Sequence, residues 1–255
     1  MKLNEHIGKS KSPHHLNNSS KLTQHTNTAL STTKVLLVPY SPHHVPTYHT
    51  WMQDLELQAA TASEPLTLPE EYEMQRSWRT DHDKLTFIVC LPLDDQSRAV
   101  KALASQDDRP ERMIGDINLF LSDPEDDDDD EPANAAEGGG IIGEIELMIA
   151  RKDLHRQGYG RAALLTFLDY IFSSWDAISW EYGQGDIAQP LRYLRVKINQ
   201  DNARSIALFE SIGFAVAKEA NYFGEVELRW RPDRKALEGG KGWEKAREVR
   251  YSEPV

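Results

Sequence analysis

One short turn between a strand and a helix constrains this chain more than any other part of it. Residues 141–150 (I-I-G-E-I-E-L-M-I-A) alternate with a period of two, which predicts a strand. An amphipathic helix pattern follows and is carried by Ala163, Leu164, Phe167, Leu168, Ile171 and Phe172. The sequence R-Q-G-Y-G-R, at residues 156–161, lies between these two elements. The strand, the turn and the helix therefore follow each other directly.

This turn has the chemistry of an anion site. Gly158 and Gly160 allow positive φ and the close approach of a ligand to the backbone. The first amides of the following helix have no partner within the helix, and the helix dipole adds positive potential. Arg156 and Arg161 flank these amides, so the turn is suited to a pyrophosphate. A G-x-G sequence alone is also compatible with a turn that starts a helix and binds no ligand.

Composition excludes several classes of protein. The 255 residues are 39% hydrophobic, which is enough for one core, but no stretch approaches the roughly 18 apolar residues of a membrane span. The only cysteine is Cys90, which excludes a disulfide framework and a thiolate zinc cluster, and no metal is expected. A net charge of −12 opposes nucleic-acid binding, because phosphates would be repelled. We expect neither a membrane nor a nucleic acid as a partner.

Most of the negative charge lies in one segment. Eight of the nine residues from Asp123 to Glu131 are acidic, and without them the net charge of −12 would be −4. Such a dense run of like charges predicts a solvated loop, since its members repel each other. The alternative is that the run attracts a basic substrate or partner.

The two ends of the chain differ in composition from the middle. Residues 1–33 are polar and lack the apolar stretch of a secretory signal, which predicts a disordered segment and a cytoplasmic, or also nuclear, protein. Residues 231–255 form a charged tail. Long loops are expected at 92–112, 123–140 and 173–192.

Periodicity predicts further elements along the chain. Strands are expected at residues 34–40, 86–90, 113–121, 194–198 and 222–230. Helices are expected from residue 41 or 42 to 55, at 69–78, and from 202 or 203 to 212, where Gly213 stops the helix.

Two motifs resemble the signatures of the GNAT superfamily of N-acetyltransferases. H-R-Q-G-Y-G-R-A-A-L, starting at His155, is similar to the acetyl-CoA loop [RQ]-x-x-G-x-[GA]. N-A-R-S-I-A-L-F-E-S-I-G-F, starting at Asn202, is similar to N-x-x-S/A-x-x-L-[FY]-x-x-x-G-F. V-L-L-V-P-Y-S-P-H-H-V-P-T-Y-H-T-W-M and G-E-I-E-L-M-I-A resemble the N-acetyltransferase-nine-like branch, close to the ribosomal-protein N-terminal acetyltransferases. The resemblance covers residues 34–230 apart from three insertions.

The resemblance implies an α/β fold with a mixed, mostly antiparallel sheet and flanking helices. Two central strands, 141–150 and 194–198, would start paired and then splay apart. Acetyl-CoA, as cosubstrate, would fill the gap and bond to the freed backbone as an added strand does. The implied cofactor-binding residues are Ile149, His155, Arg156, Gln157, Gly158, Tyr159, Gly160, Arg161, Asn202, Ser205 and Phe209.

Individual residues have more specific implied roles. Asn202 would bond the pantetheine arm and Ser205 would approach the CoA phosphates, although Asn202 is also a good ordinary N-cap. His155 departs from the Arg or Gln that the family prefers. Phe209 stands where many members carry a tyrosine thought to protonate the leaving thiolate. The missing hydroxyl leaves three alternatives. Another group supplies the proton, such as Tyr193, Tyr222 or water; or the thiolate leaves without an acid; or the protein has lost catalytic activity.

Acetyl transfer requires a neutral amine, whereas amines are largely protonated near pH 7. A carboxylate in the cleft can take that proton. Glu144 is the first candidate, because its offset of fourteen residues from Gly158 resembles that of the base in histone-acetylating members. Glu146, on the same strand face, is the second candidate, and two close carboxylates raise each other's pKa. The alternative is that Glu144 or Glu146 pairs with an arginine at the sheet edge.

The leading hypothesis is an acetyl-CoA-dependent N-acetyltransferase that acts on a protein amine, N-terminal or lysine, by direct attack in a ternary complex. The alternative is a CoA-binding scaffold that acts through protein contacts, because the nine-like branch is associated with tubulin and microtubules. A small-molecule amine is a third acceptor class. The sequence leaves the acceptor and the oligomeric state open.

Overall fold

A computed structural model describes residues 28–252 apart from 62, 95–100, 125–139, 186–187 and 232. Within these residues ten strands form one sheet, in the order β4-β10-β1-β2-β3-β5-β6-β7-β9-β8. The strands are β1 (Thr28–Ser31), β2 (Leu36–Pro39), β3 (Lys84–Cys90), β4 (Lys101–Leu103), β5 (Met113–Ser122), β6 (Ile141–Ile149), β7 (Leu191–Asn199), β8 (Ala215–Lys218), β9 (Glu225–Trp230) and β10 (Arg247–Ser252). The β6–β7 and β4–β10 pairs are parallel and the other neighbours are antiparallel. The predicted mixed, mostly antiparallel α/β fold is confirmed.

Helices flank both faces of this sheet. They are α1 (Val45–Trp51), α2 (Leu55–Thr61), α3 (Leu68–Thr80), α4 (Tyr159–Tyr182), α5 (Ala203–Glu210) and α6 (Arg234–Glu238). Among the described residues, no helix combines the length and the apolar character needed to cross a membrane.

The helix α4 covers one face of the sheet and forms the larger core. Leu164, Phe167, Leu168 and Ile171 are fully buried, and their spacing of three and four residues puts them on one stripe of the helix. The Phe167 ring meets the ring of Phe87 on β3 edge to face, with centroids 5.9 Å apart. The loop predicted at 173–192 is wrong over its first half, because α4 continues to residue 182 with buried residues on the same stripe.

The helices α1 and α3 cover the opposite face over β2, β3 and β5. Tyr48 and Met52 of this layer are buried against Ile88 and Met148 of the sheet. A capping box starts α3, in which the Thr67 amide donates to a carboxylate oxygen of the residue three positions later at 2.7 Å. The side chains of Glu146 on β6 and Lys197 on β7 remain exposed, so this face is open over the later strands.

The prediction of one continuous helix from residue 41 or 42 to residue 55 is wrong. This segment is divided into a 3-10 turn at Pro42–His44, the helix α1, and the start of α2. The chain turns between α1 and α2, where the Glu56 amide donates to Asp54 Oδ1 at 2.9 Å. Such a local side-chain bond competes with a continuous helix.

Both terminal segments contribute strands, which corrects two predictions. Thr28–Ser31 forms β1, so the predicted disorder of residues 1–33 is wrong for residues 28–33, while residues 1–27 lie outside the described residues. The predicted charged tail contains α6 and β10, and β10 pairs with β1. Val249 and Tyr251 are buried on one face of β10, because charged residues alternate with them.

The remaining loop predictions fall partly outside the described residues. The predicted loop 92–112 contains β4, which pairs with β10, a partner too distant in sequence for a local pattern to reveal. Most of the acidic run lies within 125–139 and therefore outside the described residues.

A buried polar cluster joins the start of α1 to β10. The Oδ2 atom of Asp108 accepts hydrogen bonds from His43 Nε2 at 3.0 Å, from His44 Nε2 at 2.9 Å, and from the Tyr251 hydroxyl. The Ser41 amide donates to His44 Nδ1 at 3.0 Å, so the neutral ring carries its proton on Nε2 and has no lone pair there for a metal. Desolvation lowers the pKa of His44 to about 4, against the effect of its hydrogen bond to Asp108.

This cluster predicts a loss of stability in acid. The folded chain keeps His44 neutral down to about pH 4, whereas the unfolded chain protonates it near pH 6.5, so the free energy of unfolding falls as the pH drops through this window. From pH 8 to pH 5 the contribution of His44 is about 2 kcal/mol. Urea unfolding of the wild type and of His44→Gln at both pH values should show a smaller loss in the variant. Equal losses would contradict the assignment.

Candidate functional site

The strands β6 and β7 pair over only part of their length. Parallel pairing runs from Ile141 and Leu191 to Glu144 and Arg195. Beyond that point, in the described chain, residues 145–149 pair only with β5 and the end of β7 pairs only with β9. Alternate backbone groups of both strands therefore point into the space between them. We call this space the β6–β7 gap, and it confirms the predicted splay.

Leucine side chains from both neighbouring strands cover Gly143, just before the gap. A Cβ atom at Gly143 would lie 2.7 Å from Leu194 Cδ2 and 2.8 Å from Leu119 Cδ1, so a side chain here would require these two leucines to move. The gap opens after the Glu144–Arg195 pair.

The turn at residues 156–161 follows β6 and starts α4. Arg156 and Gly158 have φ values of +61° and +84°, so the backbone alternates in hand here, as in an anion-binding nest. Within the described residues, none of the main-chain amides of 156–161 donates to a protein acceptor, and the first bonded amide is that of Ala162, to Gly158 O at 3.0 Å. Six free amides at the start of a 24-residue helix fit an anionic group.

Two side chains of the predicted set fold back on the backbone before the turn. His155 Nε2 lies 2.7 Å from the carbonyl oxygen of Ile149, at the end of β6. Gln157 Nε2 donates to the carbonyl oxygen of Asp153 at 2.8 Å. These bonds hold the turn against the end of the strand and leave its amides open.

Other side chains connect the turn to both ends of the chain. Arg161 donates to the carbonyl oxygen of Lys241 at 2.9 Å and to the hydroxyl of Ser211. The Lys34 ammonium lies 4.4 Å from the centre of the Tyr159 ring. The side chain of Arg156 is exposed, so it is the flanking cation available to a ligand.

The second motif forms α5 and lies beside the turn. The carboxamide oxygen of Asn202 accepts from the Ser205 amide at 3.2 Å, which is the N-cap role that the sequence also allowed. A Cβ atom at Gly160 would lie 3.6 Å from both Leu208 Cδ2 and Ile149 Cγ1, so the two motifs and the end of β6 converge. Predicted roles of these residues in CoA binding stay predictions.

Phe209 belongs to the core rather than to the surface of this site. It is buried and packs edge to face against Phe214, with ring centroids 5.1 Å apart. The substitutes considered for its missing hydroxyl lie elsewhere: Tyr193 is buried beneath the guanidinium of Arg229, and Tyr222 is 96% exposed in the turn before β9. Neither location identifies an acid for the thiolate.

The two candidate bases on β6 have opposite environments. Glu144 Oε2 accepts from Arg195 Nε at 2.8 Å and lies 3.2 Å from Lys197 Nζ. This is the pairing with an arginine that the sequence left open as an alternative. Glu146 forms no hydrogen bond or salt bridge with any described residue. Its side chain is free to meet a substrate.

The pKa of Glu146 is suited to proton transfer near neutrality. Desolvation, followed by the negative charges of Asp116 and Glu144, raises this pKa to about 7. The side chain is nevertheless exposed, so it lies on the wall of a cleft that water can reach. A base with a pKa near the working pH is efficient.

Sequence reasoning missed two polar residues beside Glu146. Asp116 and Asn118 of β5 are buried, and Asn118 Nδ2 donates to Asp116 Oδ2 at 2.8 Å. Asn118 is directly opposite Glu146 in the β5–β6 register. The available signal was the presence of two polar residues, two positions apart, in an otherwise apolar strand.

Comparison with known proteins defines the class. Residues 34–215 match the family model described as an acetyltransferase (GNAT) domain, and the chain therefore belongs to the GNAT acetyltransferase family. It is an N-acetyltransferase, which transfers an acetyl group to an amine.

Its relatives give a more particular position within the family. The chain is 43% identical over 215 residues to the N-acetyltransferase 9-like protein of Schizosaccharomyces pombe, across 79% of this chain and 95% of that protein. It is 40% identical over 204 residues to alpha/beta-tubulin-N-acetyltransferase 9 of Homo sapiens, across 80% of this chain and 83% of that protein.

Solved structures share the fold at low sequence identity. A spermidine N-acetyltransferase chimera from Vibrio cholerae aligns with a TM-score of 0.52 and 15% identity, over 80% of this chain and 98% of that chain. The aminoglycoside acetyltransferase AAC(6′)-Ib, solved in complex with coenzyme A, aligns with a TM-score of 0.52 and 15% identity, over 80% and 97%.

The free amides of the turn predict a specific loss of CoA binding. In Gly158→Ala the Cβ atom has space, but φ of +84° is strained for alanine by about 1 kcal/mol, so the turn should relax and its amides should lose their common direction. We expect an about fivefold weaker CoA affinity by calorimetry, which is the factor that 1 kcal/mol corresponds to. Gly185→Ala, at φ of +98° beyond the far end of α4, is the matched control and should bind CoA normally. Equal affinities of the two variants would contradict the predicted role of the turn.

Proposed function

We propose that this N-acetyltransferase uses acetyl-CoA to acetylate an amine of a protein, and that Glu146 accepts the proton of that amine. One arrangement carries the proposal: an unpaired carboxylate lies on the same strand that forms one wall of the β6–β7 gap and ends beside the free amides of residues 156–161. The strand β6 therefore connects the proposed base, Glu146, to the proposed phosphate-binding turn at residues 156–161.

The residues present fit CoA. The free amides of residues 156–161 match a diphosphate, and the exposed Arg156 adds positive charge. Unpaired backbone groups along the β6–β7 gap match the two amides of a pantetheine arm, in the manner of an added strand. When bound, acetyl-CoA supplies the acetyl group as a thioester.

The side chains then have separate tasks. Glu146 takes one proton from the acceptor ammonium, directly or through water, and leaves a neutral amine whose lone pair forms the new C–N bond. Glu144 forms salt bridges with Arg195 and Lys197, so these two cations are paired with Glu144 rather than with Glu146. Phe209 offers no proton, so the leaving sulfur takes the second proton of the amine nitrogen, directly or through water.

A protein acceptor fits the open side of the site. The helices α1 and α3 cover the earlier strands of this face and leave Glu146 and Lys197 exposed. An extended segment of an acceptor protein can therefore reach Glu146 across β6 and β7. Several relatives, including those of Mus musculus and Drosophila melanogaster, are named alpha/beta-tubulin-N-acetyltransferase 9. We therefore propose tubulin as the first acceptor to test, which also agrees with the cytoplasmic localisation expected from the sequence.

Paired substitutions test the base. Glu146→Gln should lower kcat/KM at least a hundredfold because it removes the proton acceptor. Its CoA affinity should stay within about twofold of wild type, since the turn is unchanged. Glu144→Gln should lower kcat/KM less than tenfold, because it removes an ion pair rather than the base. Thiol release and mass spectrometry on a peptide library that includes tubulin N-termini measure both.

The control for this pair is Glu111→Gln, an exposed carboxylate whose partner is Arg109 rather than a residue of β6 or β7, which should be indistinguishable from wild type. A variant series in which Glu144→Gln is inactive and Glu146→Gln is active would reverse the assignment. Binding of CoA by the wild type without acetylation of any peptide would favour the scaffold alternative, in which protein contacts are the function.

A further inference from the structure

A second carboxylate lies behind Glu146 on the same face of the sheet. The β5–β6 register puts Asn118 opposite Glu146 and Asp116 opposite Met148, so Asp116 is the diagonal neighbour of Glu146. Diagonal neighbours on one face are roughly 7–8 Å apart along an antiparallel pair, within reach of long side chains. The glutamate side chain can therefore approach the aspartate.

Asp116 is isolated from solvent and from cations. It is 2% exposed, and no described Lys, Arg or His forms a salt bridge with it. Its Oδ2 atom accepts from Asn118 Nδ2, and the side chain of Tyr48 faces it. Its Oδ1 atom and the carboxamide oxygen of Asn118 have no hydrogen-bond partner in the described structure. A buried carboxylate with one empty oxygen is costly, and such groups usually have a function.

The surroundings of the two carboxylates are poor in positive charge. From the covering helices and the segment before them, Tyr40 and Tyr48 face Asp116, and Glu71 faces these two tyrosines. From the sheet, Glu144, Lys197 and Glu225 face Glu146. The one cation in this set, Lys197, lies against Glu144, and His49 is 3.7 Å from Glu71. Ionisation of both Asp116 and Glu146 is therefore resisted by desolvation and by mutual repulsion.

We propose that Asp116 is a positioning residue for the proton of Glu146: its charge raises the proton affinity of Glu146, so that the two carboxylates act as one coupled acceptor near neutral pH. The proposal rests on the proposed function. Asp116 is too deeply buried beneath α1 to touch an acceptor amine, so it acts through Glu146. Desolvation raises the pKa of Asp116 to about 7, close to that of Glu146, so the two groups titrate over the same range of pH.

The proton balance is complete without another reactant. One N–H bond of the acceptor ammonium breaks and an O–H bond forms on Glu146. The amine lone pair forms the C–N bond while the C–S bond breaks and its electron pair stays on sulfur. The second N–H proton passes to sulfur. Glu146 is exposed and returns its proton to water, which resets the pair.

The first test is a titration that needs no substrate. Carbon-13 NMR of full-length protein labelled at glutamate carboxyls follows Glu146, whose signal is identified by its absence in Glu146→Gln. In the wild type we expect a broad titration, because two coupled groups share protons. In Asp116→Asn we expect a single, narrower step, shifted to lower pH by about one unit, because a neighbouring negative charge is gone.

A matched control separates this effect from a general one. Asp169→Asn removes another buried carboxylate, on α4 and thus on the other face of the sheet, and should leave the Glu146 titration unchanged. A Glu146 midpoint that is the same in wild type and Asp116→Asn, or that moves equally in Asp169→Asn, would overturn the proposal. If Asp116→Asn does not fold, Tyr48→Phe, which removes the hydroxyl that faces Asp116 and so makes its ionisation less favourable, should give a smaller shift in the same direction.

The second test uses activity. The rising limb of kcat/KM against pH should move to lower pH in Asp116→Asn, and kcat at the plateau should fall about threefold to tenfold because Glu146 becomes a weaker base. The KM for the acceptor should not change, whereas a merely structural role would leave the limb in place. If the wild type acetylates nothing, the proposed function fails, while the NMR titration still decides the coupling of Asp116 and Glu146.

Discussion

The partial pairing of β6 and β7 is the constraint on which the rest of the site depends. Two parallel strands that separate after the Glu144–Arg195 pair leave a row of backbone donors and acceptors without sheet partners. Such groups are costly when they are buried and unsatisfied, so the gap must be filled by water or by a ligand with amides of its own. The turn at residues 156–161 and the helix α5 complete the walls at its end.

The contrast between Glu144 and Glu146 shows how environment separates two identical side chains. They lie two residues apart on one strand face, and their sequence context is almost the same. Glu144 lies where the strands are still paired and meets the cations of β7. Glu146 lies beyond the separation and forms no salt bridge with these cations, and its diagonal neighbour on β5 is the buried acid Asp116. The strand separation therefore determines both the space between the strands and the different environments of the two carboxylates.

The C-terminal segment supports this arrangement from outside the motifs. Its strand β10 extends the sheet beyond β1, and Tyr251 joins the hydrogen bonds that connect Asp108 to the start of α1. The carbonyl oxygen of Lys241 accepts from Arg161 and so holds the turn that begins α4. A segment with the composition of a flexible tail thus fixes two elements that are distant from it in the sequence.

Sequence alone predicted the elements whose signals are local. The alternation of residues 141–150 and the turn with Gly158 and Gly160 depend on neighbouring residues, and the structure contains both. The helix predicted to run to residue 212 ends at Glu210, and Gly213 follows it with a φ of +117°. The sequence also predicted the splay and the family, through two motifs in a fixed order. It ranked Glu144 above Glu146, because spacing to the turn carries no information about which cation lies opposite.

Tertiary structure decided the properties that depend on distant partners and on exclusion of water. The contact of Arg195 with Glu144 joins residues 51 positions apart and follows from the register of two strands. The burial of Asp116 requires α1 and α3 above it, and β10 becomes a strand only because β1 offers it an edge. Periodicity reports which face of an element is apolar, whereas charge pairing and desolvation arise only when that face meets another.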